Sequence, residues 1–219
     1  MRRRMKVLLI DDHALFRDAL SLMLQARLSG LVLLHAGSLA EALQMQQRHD
    51  DIRLALLDLA LPDSDGLASL QRWREQAAQV PVVVLSADDR PETVLAAIDA
   101  GAAGFIPKTA QGRVLEDALR HVLDGRAFVP PRTYGTLDDL RAAPASAEAL
   151  DLSPRQLEVL RLVIEGKTNK MICRELELSE STVKTHLAAI FRRLAVDTRT
   201  QAVVAAARLG LRLSGPATR

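Results

Sequence analysis

Short apolar runs and longer helical stretches alternate along the first half of the chain. The runs occupy residues 6–10, 31–35, 53–58, 80–86 and 104–106. The stretches between and after them occupy residues 15–26, 39–48, 67–76, 92–100 and 111–123. Five strand–helix pairs in strict order predict an α/β domain around a parallel sheet. The runs are continuously apolar rather than alternating, as strands covered on both faces require.

The pattern stops at Pro130-Pro131, and the small-residue segment Ala142-Ala143-Pro144-Ala145-Ser146-Ala147 reads as a linker, with a short helix expected at 136–141. Beyond it every element is helical. Ser153-Pro154-Arg155-Gln156 combines a cap, a proline at the first helical position and a glutamine three residues after the serine. That helix should stop at Gly166. A short helix at 168–176, a tight connection at Glu177-Leu178-Ser179, a helix over 180–194 and a last one over 199–209 complete the set. The expected domains are 1–128 and 150–213, with 129–149 between them.

Charge separates the halves further. Residues 151–219 carry a net +5, and residues 1–150 a net −3. The basic half is the candidate for a polyanionic partner. Cys173 is the single cysteine, which excludes an internal disulfide framework and suits a reducing compartment. No apolar run approaches the 18–20 residues of a membrane span, and the basic start followed by only four apolar residues is no signal peptide. A cytoplasmic protein without a membrane partner is expected.

Ligands of open parallel sheets bind beyond the carboxyl ends of the strands. Asp11 and Asp12 end the first expected strand, Asp58 the third and Ser86 the fourth, and Lys108 follows the fifth. Three converging carboxylates repel one another and call for a counter-charge. Mg²⁺ suits them, since it binds oxygen donors and bridges carboxylates to phosphate oxygens. Lys108 supplies a second cation, Ser86 a hydroxyl donor, and the Ala60 carbonyl can complete the metal shell. Asp58 is the central carboxylate and the natural nucleophile for an aspartyl-phosphate. Alone, Asp12 reads equally well as a cap for the helix starting near His13; the full set is much harder to obtain from capping.

Residues 5–125 resemble the receiver domain of two-component response regulators. The resemblance rests on Ile10-Asp11-Asp12-His13, Leu57 to Gly66 around Asp58, Leu85-Ser86-Ala87, and Gly101 to Lys108. It implies a flavodoxin-like five-stranded parallel sheet of order 2-1-3-4-5. It implies Asp58 as acceptor of phosphate from a sensor histidine kinase, Asp12 as direct Mg²⁺ ligand, and Ser86 and Phe105 as a switch pair. Phosphate on Asp58 would draw Ser86 in and let Phe105 rotate inward. Phe105 stands where many relatives have tyrosine, and Thr109 follows Lys108 where many have proline.

The helix pair at 170–176 and 180–193 has helix-turn-helix spacing. On the second helix Val183, Leu187, Ile190 and Leu194 form the inward stripe. Ser181, Thr182, Lys184, Thr185, Ala188 and Arg192 lie opposite. Lys184 and Thr185 are the candidates for base edges. Ser181, Thr182, Arg192 and Lys170 are the candidates for phosphates. Glu158 reads as helix structure, His186 is divided between a phosphate contact and a structural role, and Cys173 reads as a small buried residue.

Residues 150–212 resemble the four-helix DNA-binding domain of LuxR/NarL-class regulators, through Leu152 to Gln156, Gly166 to Ile172, Ser181 to His186 and Arg199. Ala188 departs from the polar residue common at that position. The expected protein is a phosphorylation-dependent, sequence-specific transcription regulator. It would bind double-stranded DNA as a homodimer on an inverted repeat, with RNA polymerase a further candidate partner. It is not expected to be an enzyme beyond gain and slow loss of phosphate at Asp58. The rivals are a DNA-binding regulator set by a protein or ligand instead of phosphate, a metal-assisted hydrolase, and a pure interaction module.

Overall fold

The computed structural model describes residues 5–110, 112–130, 152–209 and 211. The expected helix at 136–141 lies outside them, as does most of the expected linker. The chain divides into two compact units, Met1–Leu123 and Asp124–Arg219.

The first unit runs β1 (Met5–Ile10), α1 (Ala14–Arg27), β2 (Leu31–Ala36), α2 (Leu39–Arg48), β3 (Ile52–Asp58), β4 (Ala60–Leu61), β5 (Ser64–Asp65), α3 (Leu67–Gln76), β6 (Val82–Ser86), α4 (Pro91–Asp99), β7 (Gly104–Pro107) and α5 (Gly112–Leu123). The five long strands form one sheet in the order β2-β1-β3-β6-β7, every pairing parallel. With the two-residue strands β4 and β5 set aside, this is the expected 2-1-3-4-5 order.

The continuous apolar runs have the predicted consequence. Val7 to Ile10, Leu54 to Leu57 and Val82 to Leu85 are all buried. Each Val, Leu or Ile side chain among them contributes about 1.5–3 kcal/mol by leaving water. The register sets Ile10 beside Leu57 and Asp58 beside Leu85. The carboxyl ends of β1, β3 and β6 therefore meet at one edge of the core.

Local signals hold the surrounding elements. Ser38 caps α2, its hydroxyl accepting the Glu41 N–H at 3.2 Å. Trp73, wholly buried on α3, donates its indole N–H to the Val80 carbonyl at 3.3 Å. The antiparallel pair β4–β5 was not legible in the sequence. It is too short for any periodicity, and it forms because Pro62-Asp63 turns the chain while the Gly66 N–H donates to the Leu59 carbonyl at 2.9 Å.

The described helices of the second unit are α6 (Pro154–Ile164), α7 (Asn169–Leu176), α8 (Glu180–Arg193) and α9 (Arg199–Arg208). Ser153 and Gln156 form a reciprocal capping box, as do Thr198 and Gln201. Thr168 caps α7 and Ser179 caps α8. Gly166 ends α6 with φ +76°, a conformation in which its missing Cβ removes the penalty. Val159, Leu160, Leu162, Val163, Ile172, Val183 and Ile190 form the centre of this unit's core. Cys173 is a free thiol packed at the margin of that core and half-buried, less enclosed than expected, because α7 presents only Ile172 fully inward.

Candidate functional site

The sheet edge gathers the expected residues into an open cleft of about 770 Å³ lined by His13, Asp58, Ala60, Ser86, Asp88 and Lys108, among others. Asp11 is fully buried and Asp58 is 2% exposed. Burying two carboxylates costs several kcal/mol per ion unless charge is supplied. Lys108 supplies it, with Nζ 2.7 Å from Asp58 Oδ2 and 2.8 Å from Asp11 Oδ2. Burial by itself would lower the pKa of this ammonium. The short contacts with Asp11 and Asp58 outweigh burial and hold it above the ordinary lysine value. The Phe16 ring lies 4.9 Å beneath Nζ and adds a cation–π contact.

The carboxylates also serve as hydrogen-bond acceptors. Asp11 Oδ1 accepts the His13 N–H at 2.8 Å, and Arg17 donates to the Asp11 carbonyl. His13 Nδ1 lies 2.7 Å from Asp12 Oδ1 and 3.1 Å from Asp11 Oδ1. The helical-cap reading of Asp12 is set aside. The N-cap of α1 is His13, its side chain makes no cap bond, and it is Asp11 that accepts the N–H of this cap residue. Asp12 stays exposed, with a carboxylate oxygen within 4.8 Å of ligand atoms of Asp11, His13 and Asp58.

Asp11, Asp12, His13 and Asp58 each bring a ligand atom within 4.8 Å of the others. Asp11 Oδ2 is buried and meets the Lys108 ammonium at 2.8 Å as an ion pair rather than through an aligned hydrogen bond. An acidic, oxygen-rich donor set fits a hard divalent cation. Ala60, the position assigned a carbonyl ligand, is exposed on β4 and lines the cleft.

Ser86, at the end of β6, accepts the Asp88 N–H on Oγ at 3.1 Å, and its carbonyl accepts the Lys108 N–H at 2.7 Å. That second bond ties the end of β6 to the turn bearing Lys108. Phe105 is wholly buried. A phenyl ring has no hydroxyl to keep in water, so it settles inward without a lost hydrogen bond.

Two further residues shape the cleft and escaped the sequence. Asp63 accepts the Leu39 and Ala40 N–H groups at 2.9 and 2.8 Å, pinning the β4–β5 loop to the start of α2. Partial burial raises its pKa, and those two amides more than reverse that and hold it low. Asp88 is held well below the usual carboxylate range by Arg90 first, then by Thr93 and the Arg90 amide. A proline–aspartate turn signals the first faintly; nothing local signals the second.

In the second unit α8 presents Glu180, Ser181, Lys184, Thr185, Ala188 and Arg192 to solvent. Val183, Leu187 and Ile190 are buried and Leu194 packs beside them, as the stripe predicts. Thr182 is half-buried, Lys170 is exposed on α7, and His186 is half-buried. Arg155 pairs with Glu158 at 2.6 Å and donates to the Leu176 carbonyl, bracing the turn between α7 and α8. Arg199 is half-buried and pairs with no carboxylate among the described residues. It bonds Asn169 and the Lys167 carbonyl, and burial first, then Arg126, brings it down to about 10.

Residues 7–120 match the response regulator receiver domain, and residues 150–206 match the bacterial regulatory proteins of the luxR family. The chain belongs to the response regulators. Among its relatives, a glycerol metabolism activator of Pseudomonas putida is 36% identical over 208 residues, covering 92% of this chain and 94% of its own length. The nitrate/nitrite response regulator NarL of Escherichia coli K12 is 31% identical over 201 residues, covering 90% and 93%. LiaR of Bacillus subtilis is 33% identical over 206 residues, covering 93% and 97%. The solved structure of RcsB from Salmonella typhimurium aligns with TM-score 0.57 at 21% identity over 92% of this chain and 97% of its own, a likeness of fold. As a response regulator the protein is a phosphorylation-dependent regulator of transcription. Its receiver chemistry is gain and loss of a phosphoryl group rather than turnover of a substrate. Among the described residues no helix is long and apolar enough to cross a membrane.

Proposed function

We propose that Asp58 takes a phosphoryl group from a sensor histidine kinase and that this controls binding of promoter DNA by α8 as a homodimer. The observation that carries the reading is the Lys108 ammonium bridging Asp58 and Asp11 at the floor of an open cleft. A carboxylate oxygen of Asp58 attacks phosphorus. The new O–P bond forms as the bond to the donor breaks, and the leaving group departs with that electron pair. Lys108 transfers its contact from Asp58 to a phosphoryl oxygen, so charge developing in the transition state meets a fixed cation. The Ser86 hydroxyl, whose oxygen already accepts the Asp88 amide, keeps its hydrogen to donate to a second phosphoryl oxygen.

Asp11, Asp12, Asp58 and the Ala60 carbonyl are the groups that would hold Mg²⁺. When bound, the ion neutralises the carboxylates and stabilises charge on the phosphoryl oxygens. The consequence for the second unit is a shift between two states of the packing around Ser86 and Phe105. On DNA, Lys184 and Thr185 face base edges, with Ala188 able to touch a thymine methyl. Lys170, Ser181, Thr182 and Arg192 contact phosphates. Two such domains would read the halves of an inverted repeat. The working domains are 1–128 and 150–213 joined by 129–149. The protein works in the cytoplasm beside its DNA, with RNA polymerase within reach.

The test is incubation of the full chain with acetyl phosphate and Mg²⁺. A hydroxylamine-labile phosphoryl adduct is expected on the wild type, with tighter binding to promoter DNA, and none on Asp58→Asn. An adduct of equal yield on Asp58→Asn would overturn the assignment.

A further inference from the structure

We propose that Glu180 is a base-reading residue that selects cytosine in the major groove, working as a pair with Lys184; this rests on the reading of α8 as the DNA-recognition helix. The hydroxyls on that face are largely committed within the helix. Thr185 Oγ1 donates its only hydrogen to the Ser181 carbonyl at 3.0 Å. Ser181 Oγ lies 2.8 Å from Ser179 Oγ, which is also 2.8 Å from Thr182 Oγ1 and accepts the Thr182 N–H at 3.1 Å. Ala188 has no polar side-chain atom. Toward the helix start, where recognition helices meet base edges, the long polar side chains left to reach outward are Glu180 and Lys184.

These two are joined. Glu180 Oε1 lies 3.0 Å from Lys184 Nζ, with side chains 56% and 65% exposed. The Lys184 hydrogen bond, with Lys170 contributing at longer range, holds the Glu180 carboxyl below its ordinary pKa, so it meets DNA ionised. A carboxylate facing a polyanion is repelled by every phosphate. It is tolerated in the groove only against a donor on a base edge, and cytosine N4 is the partner carboxylates take there. Lys184 then donates to guanine N7 or O6, so the pair reads a C and a G in close proximity. As a surface contact alone, a Glu–Lys pair four residues apart would only steady the helix slightly. It would then damp affinity for all sequences equally.

The two roles separate in a selection experiment. The phosphorylated full-length protein is offered a randomised double-stranded DNA library, and the enriched sequences are compared for wild type, Glu180→Gln and Glu180→Ala. The wild type is expected to require cytosine at one position of each half-site. Glu180→Gln should lose that preference by roughly ten-fold and shift toward adenine, the base an amide reads with both its groups. Glu180→Ala should lose the preference without a replacement. An unchanged base profile in both variants, with affinity raised uniformly, would overturn the role of Glu180 and leave the DNA reading intact. Absence of any enriched motif with the wild type would overturn both.

Discussion

The acidic cleft of the first unit and the exposed face of α8 in the second both concentrate charge on an apolar core, yet they hold it in opposite ways. In the cleft Asp11 and Asp58 are buried and Lys108 touches both, so the charges are already paired and aimed. On α8 Lys184 and Arg192 are exposed, and Lys184 pairs with the neighbouring Glu180. Carboxylates buried at a sheet edge need a counter-charge within the site, because burial strips away the water that would otherwise solvate them. A convex helix leaves its charges hydrated and available to a polyanion. The first arrangement suits a reaction, the second a surface that docks.

Lys108→Met breaks the cleft's side of this contrast most strongly. It removes the fixed cation facing the phosphoryl group, and transfer from acetyl phosphate should slow by about 10²–10³, measured as adduct formed over time. The same variant should alter the alkaline side of the stability curve. The folded-state pKa of Lys108 is raised, so its contribution is complete below the ordinary value of 10.5 and is lost as pH rises through the folded value. Denaturant titrations above that value should show the wild type losing an advantage that Lys108→Met lacks throughout. An equal alkaline loss in both proteins would mean that the cleft is not held by this pairing.

The α8 side is sharpened by comparing two cations on one helix. Lys184→Ala should cost about 1–3 kcal/mol on the preferred site and relax base preference beside it. Arg192→Ala should weaken all sequences alike and lower the salt slope by about one unit. Binding isotherms over a salt series on specific and unrelated DNA separate the two; identical behaviour of the variants would remove the distinction between reader and anchor. The smallest effect concerns the scaffold that presents α8. Ala195 has φ +53° just beyond the helix. An L side chain there costs roughly 1–2 kcal/mol that glycine avoids, offset in part by glycine's unfolded-state entropy. Ala195→Gly should therefore raise stability by up to about 1 kcal/mol in thermal unfolding.

Much of the cleft was legible because it depends on short signals in order. Asp11, Asp58 and Ser86 lie at the ends of apolar runs and Lys108 just beyond one, and once those runs are strands of a parallel sheet the residues must meet at one edge. The second unit was legible through the Ser153-Pro154-Arg155-Gln156 start and the apolar stripe of α8, whereas the caps at Thr168 and Thr198 emerged only in the fold. Asp63 was hidden because its partners, Leu39 and Ala40, are more than twenty residues away. The commitment of the Thr185 hydroxyl to Ser181 was hidden because rotamers are not written in spacing.

What the sequence alone determined about this protein is therefore its pair of architectures and the identity of the charged residues, since both follow from periodicity and from residue chemistry at element ends. Only the tertiary structure decided which oxygens Lys108 touches, that Phe105 is wholly buried, and that Asp11 rather than Asp12 accepts the N–H of His13, the N-cap of α1. Those outcomes turn on distances of an ångström between groups far apart in the chain or on the choice among staggered rotamers, and packing selects among them only once the cores have closed.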